Sequence, residues 1–330
     1  MNLNPDDVRI VALGAGRMGR GIAIAFAYAG YPVALVDFKP RSPQQWAQLS
    51  SEAHADMHSS LMMLAELGAM PEPAVAVVMN RISIVAYPQA AEVLKHADLV
   101  FEGVPETIDA KRDAFARLCP MISEQAIIAS TTSTILVTDL IPMVTHPARL
   151  INAHWLNPAY VIPLVEMSQH AGTSAAVIET LKTLLEAIGK VPVLCGPAPG
   201  YIVPRLQALV MNEAARMVEE GVATAEEIDK ATRYGLGLRF AALGVVEFID
   251  YGGNDILFHA SRYLSDAVSA ERYTAPKIVQ RFMREGKNGL KDGQGFYDYR
   301  HRDVVAYRRD VLSRTLGMLK QVGLQRPPKL

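Results

Sequence analysis

The apolar positions in the first half of the chain fall into short runs separated by stretches of mixed pattern. Val8-Arg9-Ile10-Val11-Ala12-Leu13 has the length and composition of a buried strand. A glycine-rich turn follows, then an apolar helical stretch, GIAIAFAYAG, which Gly30 ends at a C-cap position. YPVALVDF predicts a second strand, and residues 42 to 80, rich in Met, Leu and Ala, predict a helical hairpin. Strand patterns resume at RISIV, ADLVFEGV, AIIASTTS and RLINAHW, with helical segments such as ETIDAKRDAFARLC between them. Alternation of this kind predicts a doubly wound, mostly parallel sheet. The apolar run Tyr160 to Val165 reads as a strand, and KVPVLC as a later one. Two prolines and two glycines in Cys195-Gly196-Pro197-Ala198-Pro199-Gly200 punctuate a domain boundary. Everything beyond is helical in pattern, with Thr224 and Glu227 spaced as a capping box and Gly289 to Tyr299 as a loop leading into an extended segment. The expected organisation is an α/β domain over residues 1–196 and an all-helical domain over residues 197–330.

Composition narrows the function classes. The chain has 330 residues, half of them hydrophobic and a fifth charged, enough for two domains with real cores. A net charge of −1 argues against nucleic acid as a partner. No apolar run reaches membrane-spanning length, and acids occupy the place of the basic region of a signal peptide. Cys119 and Cys195 lie in apolar surroundings and fit reduced thiols in a cytoplasmic enzyme. No metal site is expected: His54 and His58 are four apart, but no third ligand accompanies them.

Chemistry first enters at Gly14-Ala15-Gly16-Arg17-Met18-Gly19, which is G-x-G-x-x-G between a strand and a helix. Asp37 ends the second strand, 18 residues after Gly19. Together they form the dinucleotide-binding fingerprint of a Rossmann-like fold. Gly14 makes the turn, Gly16 admits the pyrophosphate to the backbone, and Gly19 allows the helix to pack on its strand. Asp37 would accept from both adenosine ribose hydroxyls, favouring NAD, while nearby Lys39 and Arg41 leave room for NADP. Ligands of such sheets bind beyond the carboxyl ends of strands. Glu106, the stretch Ser130 to Ser133, and His154 stand at such ends. Each also has a plainer reading: Ser133 as the cap of a helix starting near Ile135, Glu106 as a solvated residue at a helix start, His154 as a core histidine.

These motifs, with GAGRMGRGIA, VFEGVPETIDAK, ASTTST, HWLNPAYVIPLVEM, the PGYIVPRLQALV helix and GLKDGQGFYDY in order, resemble the L-3-hydroxyacyl-CoA dehydrogenase family. The resemblance implies an NAD-dependent oxidoreductase of fatty acid metabolism that dimerises through its helical domain. It implies His154 as general base and Glu166 as the acid that orients it. Ser133 and Asn157 would lie near the substrate oxygen and nicotinamide, and Glu106 and Lys111 near the cofactor's ribose. The residue types suit the chemistry, since an imidazole held by a carboxylate can take a hydroxyl proton while hydride leaves carbon.

Three departures bear on substrate. Pro204 stands where the family usually has an asparagine facing the substrate. The predicted hairpin over residues 42 to 80 contains no Lys or Arg to meet the phosphates of coenzyme A. Gly235-Leu236-Gly237-Leu238-Arg239-Phe240 resembles the L-gulonate 3-dehydrogenase and carnitine dehydrogenase branches, where Arg239 would clamp a free carboxylate unless it serves only as a helix C-terminal charge or in a structural salt bridge. The substrate is therefore expected to be a short 3-hydroxyacyl thioester or a small free 3-hydroxy acid. A rival from another class is a protein that binds NAD without turnover.

Overall fold

A computed structural model of the chain describes residues 4 to 329. Its first compact unit runs through Val210 and the second starts at Met211. In the first unit eight strands form one sheet: β1 (Ile10–Leu13), β2 (Val33–Val36), β3 (Ile82–Val85), β4 (Leu99–Glu102), β5 (Ile127–Ser130), β6 (Leu150–Trp155), β7 (Leu164–Ser168) and β8 (Val191–Cys195). The helices are α1 (Arg17–Tyr28), α2 (Pro43–Glu66), α3 (Ala74–Met79), α4 (Ala90–Leu94), α5 (Ile108–Leu118), α6 (Val137–Leu140), α7 (Ala175–Ala187) and α8 (Val203–Glu219). The order across the sheet is β3-β2-β1-β4-β5-β6-β7-β8, and every neighbouring pair is parallel except β6 with β7. The doubly wound sheet expected from sequence is present, and the strand order reverses between β1 and β4.

Alternate residues of β1, β2, β4 and β5 feed two separate cores. Ile10, Ala12, Leu99, Phe101, Ile151, Ala153 and Trp155 pack on the side of α1, α2 and α7. Val11, Leu13, Val100, Ile128 and Leu150 pack with Ala114, Phe115 and Leu118 of α5. Period-two alternation puts Asn152 and His154 on the face of β6 opposite Trp155, and Glu166 on the face of β7 opposite Val165 and Met167. The expected strand over Tyr160 to Val165 starts later, at Leu164. Pro158 to Ile162 instead makes a turn, whose carbonyls at Ala159 and Ile162 accept from the buried Lys190 ammonium at 2.7 and 2.8 Å.

The hairpin α2–α3 is present, and Ser42 and Gln45 form a full capping box at its start. The second unit is helical, comprising the end of α8, α9 (Ala225–Ala231), α10 (Leu238–Ala242), α11 (Val245–Gly252), α12 (Asn254–Ala267), α13 (Ala270–Tyr273), α14 (Lys277–Glu285) and α15 (Val304–Gln321). A π-helical turn over Thr232–Gly237 joins α9 to α10. Thr224 caps α9 through the Glu227 amide, whereas the Glu227 carboxylate, expected to complete the box, meets Lys230. Between Gly289 and Tyr299 the chain is a loop with isolated bridges rather than a strand. It is organised by the buried Asp250 carboxylate, which accepts from the Phe296 and Tyr297 amides at 3.0 and 2.8 Å.

Candidate active site

The crevice forms at the switch point, where the loops after β1 and β4 meet. Gly14 has φ +107°, and a Cβ there would lie 2.7 Å from the Gly103 carbonyl oxygen. A Cβ at Gly19 would collide with the Gly14 carbonyl, so this position holds α1 against the turn. A Cβ at Gly16 would meet nothing within 4 Å and would instead project into open space at the N-terminus of α1, which has no side-chain cap. That is the cradle a pyrophosphate needs, with backbone amides and the helix dipole facing it. Arg17 and Met18 are the first two residues of α1 behind this turn. The adjoining cleft has a volume of about 680 Å³ and is lined by Gly14, Gly16 and Asp37 among others. A dinucleotide fits this architecture.

Asp37 is buried at the end of β2, and Arg41 donates to both of its oxygens. The acid expected to meet a ribose therefore already has a cationic partner, with Lys39 on the same wall.

Glu106 is no free carboxylate at a helix start. It ties the β4 loop to the β5 loop, accepting from the Thr132 hydroxyl, from the Ser133 amide at 2.8 Å and from the Thr134 amide at 2.9 Å. Burial pushes its pKa up, but the bonds from Thr132 and Thr134 and the Lys111 charge outweigh this and hold it below the usual range. Ser133 does not cap a helix; the Thr132 hydroxyl takes the Ile135 amide instead, and α6 begins only at Val137. Among the described residues no side chain engages the Ser133 hydroxyl.

Lys111, expected near the ribose, is fully buried with its ammonium 2.9 Å from both Glu102 oxygens and 3.9 Å from Glu106. Glu102, absent from the sequence-derived candidates, also accepts from the Val104 amide and the Ser130 hydroxyl. Its signal was legible: a carboxylate ending an apolar strand, and a lysine in the first slot of the stripe Ala114, Phe115, Leu118.

His154 and Glu166 lie directly opposite each other in the antiparallel β6–β7 ladder. Side chains so paired stand on one face and meet. Glu166 Oε2 is 2.8 Å from His154 Nδ1, while Oε1 accepts from the Ile202 and Val203 amides at 2.9 and 2.8 Å. The carboxylate thus caps α8 and holds the imidazole at once, wholly buried. Nδ1 is thus the imidazole nitrogen that the protein engages. Nε2 has no hydrogen bond to any described residue.

Sequence reasoning missed Tyr201. Its ring stacks on His154 with centroids 5.1 Å apart and planes 10° from parallel. Its hydroxyl donates to the Thr132 carbonyl and accepts from the Asn152 amide, both at 2.9 Å. Burial raises the phenol well above its ordinary pKa, so it remains a neutral donor. Asn157 lies two residues past β6 and is exposed. Pro204 is the second residue of α8, where it lacks only an amide that the first turn would leave unpaired.

Arg239 belongs to the second unit. It is exposed, its guanidinium lies 5.8 Å from the Phe248 ring centroid, and it makes no ion pair among the described residues. The alternative of a structural salt bridge is therefore not seen among the described residues, whereas Arg239 does stand in the last turn of α10, as the helix C-terminal alternative expects. Also among the described residues, no cluster of His, Cys, Asp or Glu is arranged to hold a metal, and no helix is long and apolar enough to cross a membrane.

Residues 9–198 match the family described as the 3-hydroxyacyl-CoA dehydrogenase NAD binding domain, and residues 200–299 match its C-terminal domain. A probable 3-hydroxybutyryl-CoA dehydrogenase of Bacillus subtilis is 32% identical over 291 residues, covering 88% of this chain and 97% of that protein. The 5-formyl-3-hydroxy-2-methylpyridine 4-carboxylate 5-dehydrogenase of Mesorhizobium japonicum is 30% identical over 313 residues, covering 91% and 97%. The crystal structure of a 3-hydroxyacyl-CoA dehydrogenase from Archaeoglobus fulgidus superimposes with a TM-score of 0.74 at 29% identity, covering 96% of this chain and all of that one.

Proposed function

Because the chain belongs to the 3-hydroxyacyl-CoA dehydrogenase family and is an NAD-dependent oxidoreductase, we propose that it oxidises the C3 hydroxyl of a short 3-hydroxyacyl thioester, with His154 as general base. The observation that carries the reading is the Glu166 carboxylate 2.8 Å from Nδ1 of His154, placed to accept from it, while Nε2 bonds no described residue. Bound NAD supplies the acceptor for the hydride leaving C3. Glu166 fixes the tautomer and stabilises the imidazolium that forms when Nε2 takes the hydroxyl proton. Ser133 and Asn157 hold the substrate oxygen against that nitrogen. Gly14, Gly16, Arg17, Met18 and Gly19 receive the pyrophosphate, and Asp37 receives the adenosine ribose while sharing its oxygens with Arg41. Glu106 faces the second ribose, with Lys111 acting on it from beneath.

Helix α8 supports a homodimer as the working state: none of its residues is buried, and Leu209 and Met211 are 68% and 67% exposed. Two free cysteines fit a cytoplasmic setting, and a thioester substrate fits fatty acid metabolism.

A second reading keeps the chemistry and changes the substrate to a small free acid. It is supported by α2 and α3, which carry no Lys or Arg, by the unpaired Arg239 next to a π-helical turn, and by the Mesorhizobium relative named for a pyridine carboxylate. Production of NADH from 3-hydroxybutyryl-CoA, compared with 3-hydroxybutyrate, gulonate and carnitine, separates the two. Thioester turnover that survives Arg239→Ala supports the first reading. Acid turnover that Arg239→Ala abolishes supports the second. Absence of turnover with all four favours an NAD-binding protein without catalysis.

A further inference from the structure

Tyr201 occupies an unusual backbone position. Its φ of +45° makes it the only non-glycine residue with positive φ among those described, directly after Gly200 at +75°. A bulky side chain is costly there, and such conformations persist where the surroundings over-determine them. Two sets of contacts do so here. The ring lies flat on the His154 imidazole, on the face of β6 opposite the core tryptophan. The hydroxyl is fully used, accepting from Asn152 and donating to the Thr132 carbonyl. Asn152 gives a second bond to the Ile135 carbonyl at 3.0 Å, so Asn152 and the Tyr201 hydroxyl together clamp the two ends of the Thr132–Ile135 loop that presents Ser133.

From this arrangement we infer that Tyr201 is a positioning residue that sets the Ser133 loop and the His154 imidazole relative to each other. It touches neither substrate nor cofactor in this account and rests on the reading of His154 as the base. Its two parts have separable tasks. The ring restricts rotation of the imidazole, which Glu166 grips at Nδ1 alone. The hydroxyl fixes the backbone of the loop through the carbonyl next to Ser133. Glu166 accepts from the Ile202 and Val203 amides immediately after Tyr201, so one carboxylate holds both the imidazole and the backbone that follows the stacked ring.

The tasks separate in two variants. Tyr201→Phe keeps the ring and removes the hydroxyl, while Tyr201→Leu fills the space without the aromatic face. With 3-hydroxybutyryl-CoA, or the acid that replaces it in the substrate panel, Tyr201→Phe is expected to raise the substrate KM about 3- to 10-fold and to change kcat by less than about threefold. Tyr201→Leu is expected to lower kcat by about 10²-fold as well. In both, the dissociation constant for NAD stays within about twofold, because the pyrophosphate cradle lies in other loops. A readout independent of turnover is the ¹⁵N spectrum of His154. The parent and Tyr201→Phe should show one tautomer, and Tyr201→Leu a mixture or exchange broadening. Loss of turnover in His154→Ala, combined with unchanged kinetics and an unchanged His154 spectrum in both Tyr201 variants, overturns this inference and leaves the base in place. Turnover that persists in His154→Ala overturns the reading beneath it. If Tyr201→Leu does not fold, Tyr201→Phe decides: an unchanged KM is then the overturning result.

Discussion

Two carboxylates of the same sheet are fully buried, and each is bonded to a nitrogen group. Glu102 closes β4 and holds Lys111; Glu166 stands in β7 and holds His154. Burial and hydrogen bonding to a carboxylate are nearly the same, so neither marks a reactive centre. The difference lies in what remains open. The Lys111 ammonium is turned wholly onto carboxylates, with Glu102 at 2.9 Å and Glu106 at 3.9 Å. His154 spends one nitrogen on Glu166, and the other bonds no described residue. A buried pair that saturates its cation is architecture, whereas one that leaves a lone pair is equipped for proton transfer.

The sharpest way to break this comparison is Glu166→Gln. The Gln oxygen can still cap α8, but its amide would donate to Nδ1 and place the imidazole proton on Nε2, blocking the base. We expect kcat to fall about 10³- to 10⁴-fold with the fold retained. A drop below tenfold would mean that the tautomer is set elsewhere.

Glu102→Gln is the matching change on the structural side. It strands the Lys111 charge and should cost about 3–5 kcal/mol in denaturant unfolding. At a temperature where the variant stays folded, kcat should remain within a few fold. If stability is unchanged while kcat collapses, the two pairs have been assigned the wrong way round.

Glu106 lies between these extremes, and its pH dependence sharpens the contrast. Its folded pKa is lowered, so its stabilising contribution is present above the ordinary glutamate value of about 4.3 and is lost as pH falls through the lower folded value. With a side chain 38% exposed, solvent screening limits the effect to about 1 kcal/mol, or roughly 2–4 °C in thermal midpoint at pH 7. The gap between the parent and Glu106→Gln should therefore close below pH 4; a gap that is constant with pH would place the effect outside this carboxylate.

The smallest expected effect is at Arg41, on the rim. Arg41→Ala removes a cation beside the adenosine ribose site, and the ratio of KM for NADP to KM for NAD should rise about 3- to 10-fold. A fall in that ratio would show that Arg41 repels rather than tolerates a 2′-phosphate.

Much of this was readable before any coordinates. Strand-length apolar runs gave the eight strands, since a strand covered on both faces is apolar throughout. The glycine spacing marked the crevice, and the twelve residues from His154 to Glu166 suffice for a turn and a returning strand. Glu102 and Lys111 were hidden because a charged residue in an apolar run shows no partner until the helix packs on the sheet. Tyr201 was hidden differently. It stands in a Pro- and Gly-rich boundary, where local pattern signals a turn and nothing in the neighbouring residues reveals a histidine 47 positions earlier. The late start of β7 has a similar origin: Tyr160 to Ile162 are apolar enough for a strand, but the Lys190 ammonium holds the carbonyls of Ala159 and Ile162 in a turn.

The central claim is that the open nitrogen of His154 takes the substrate proton. Its most direct test is a paired measurement on His154→Ala, combining the NAD dissociation constant with the single-turnover rate of NADH formation. We expect a dissociation constant within about threefold of the parent and a rate about 10²- to 10⁴-fold lower; a rate within tenfold of the parent, with NAD still bound, would show that another group takes the proton.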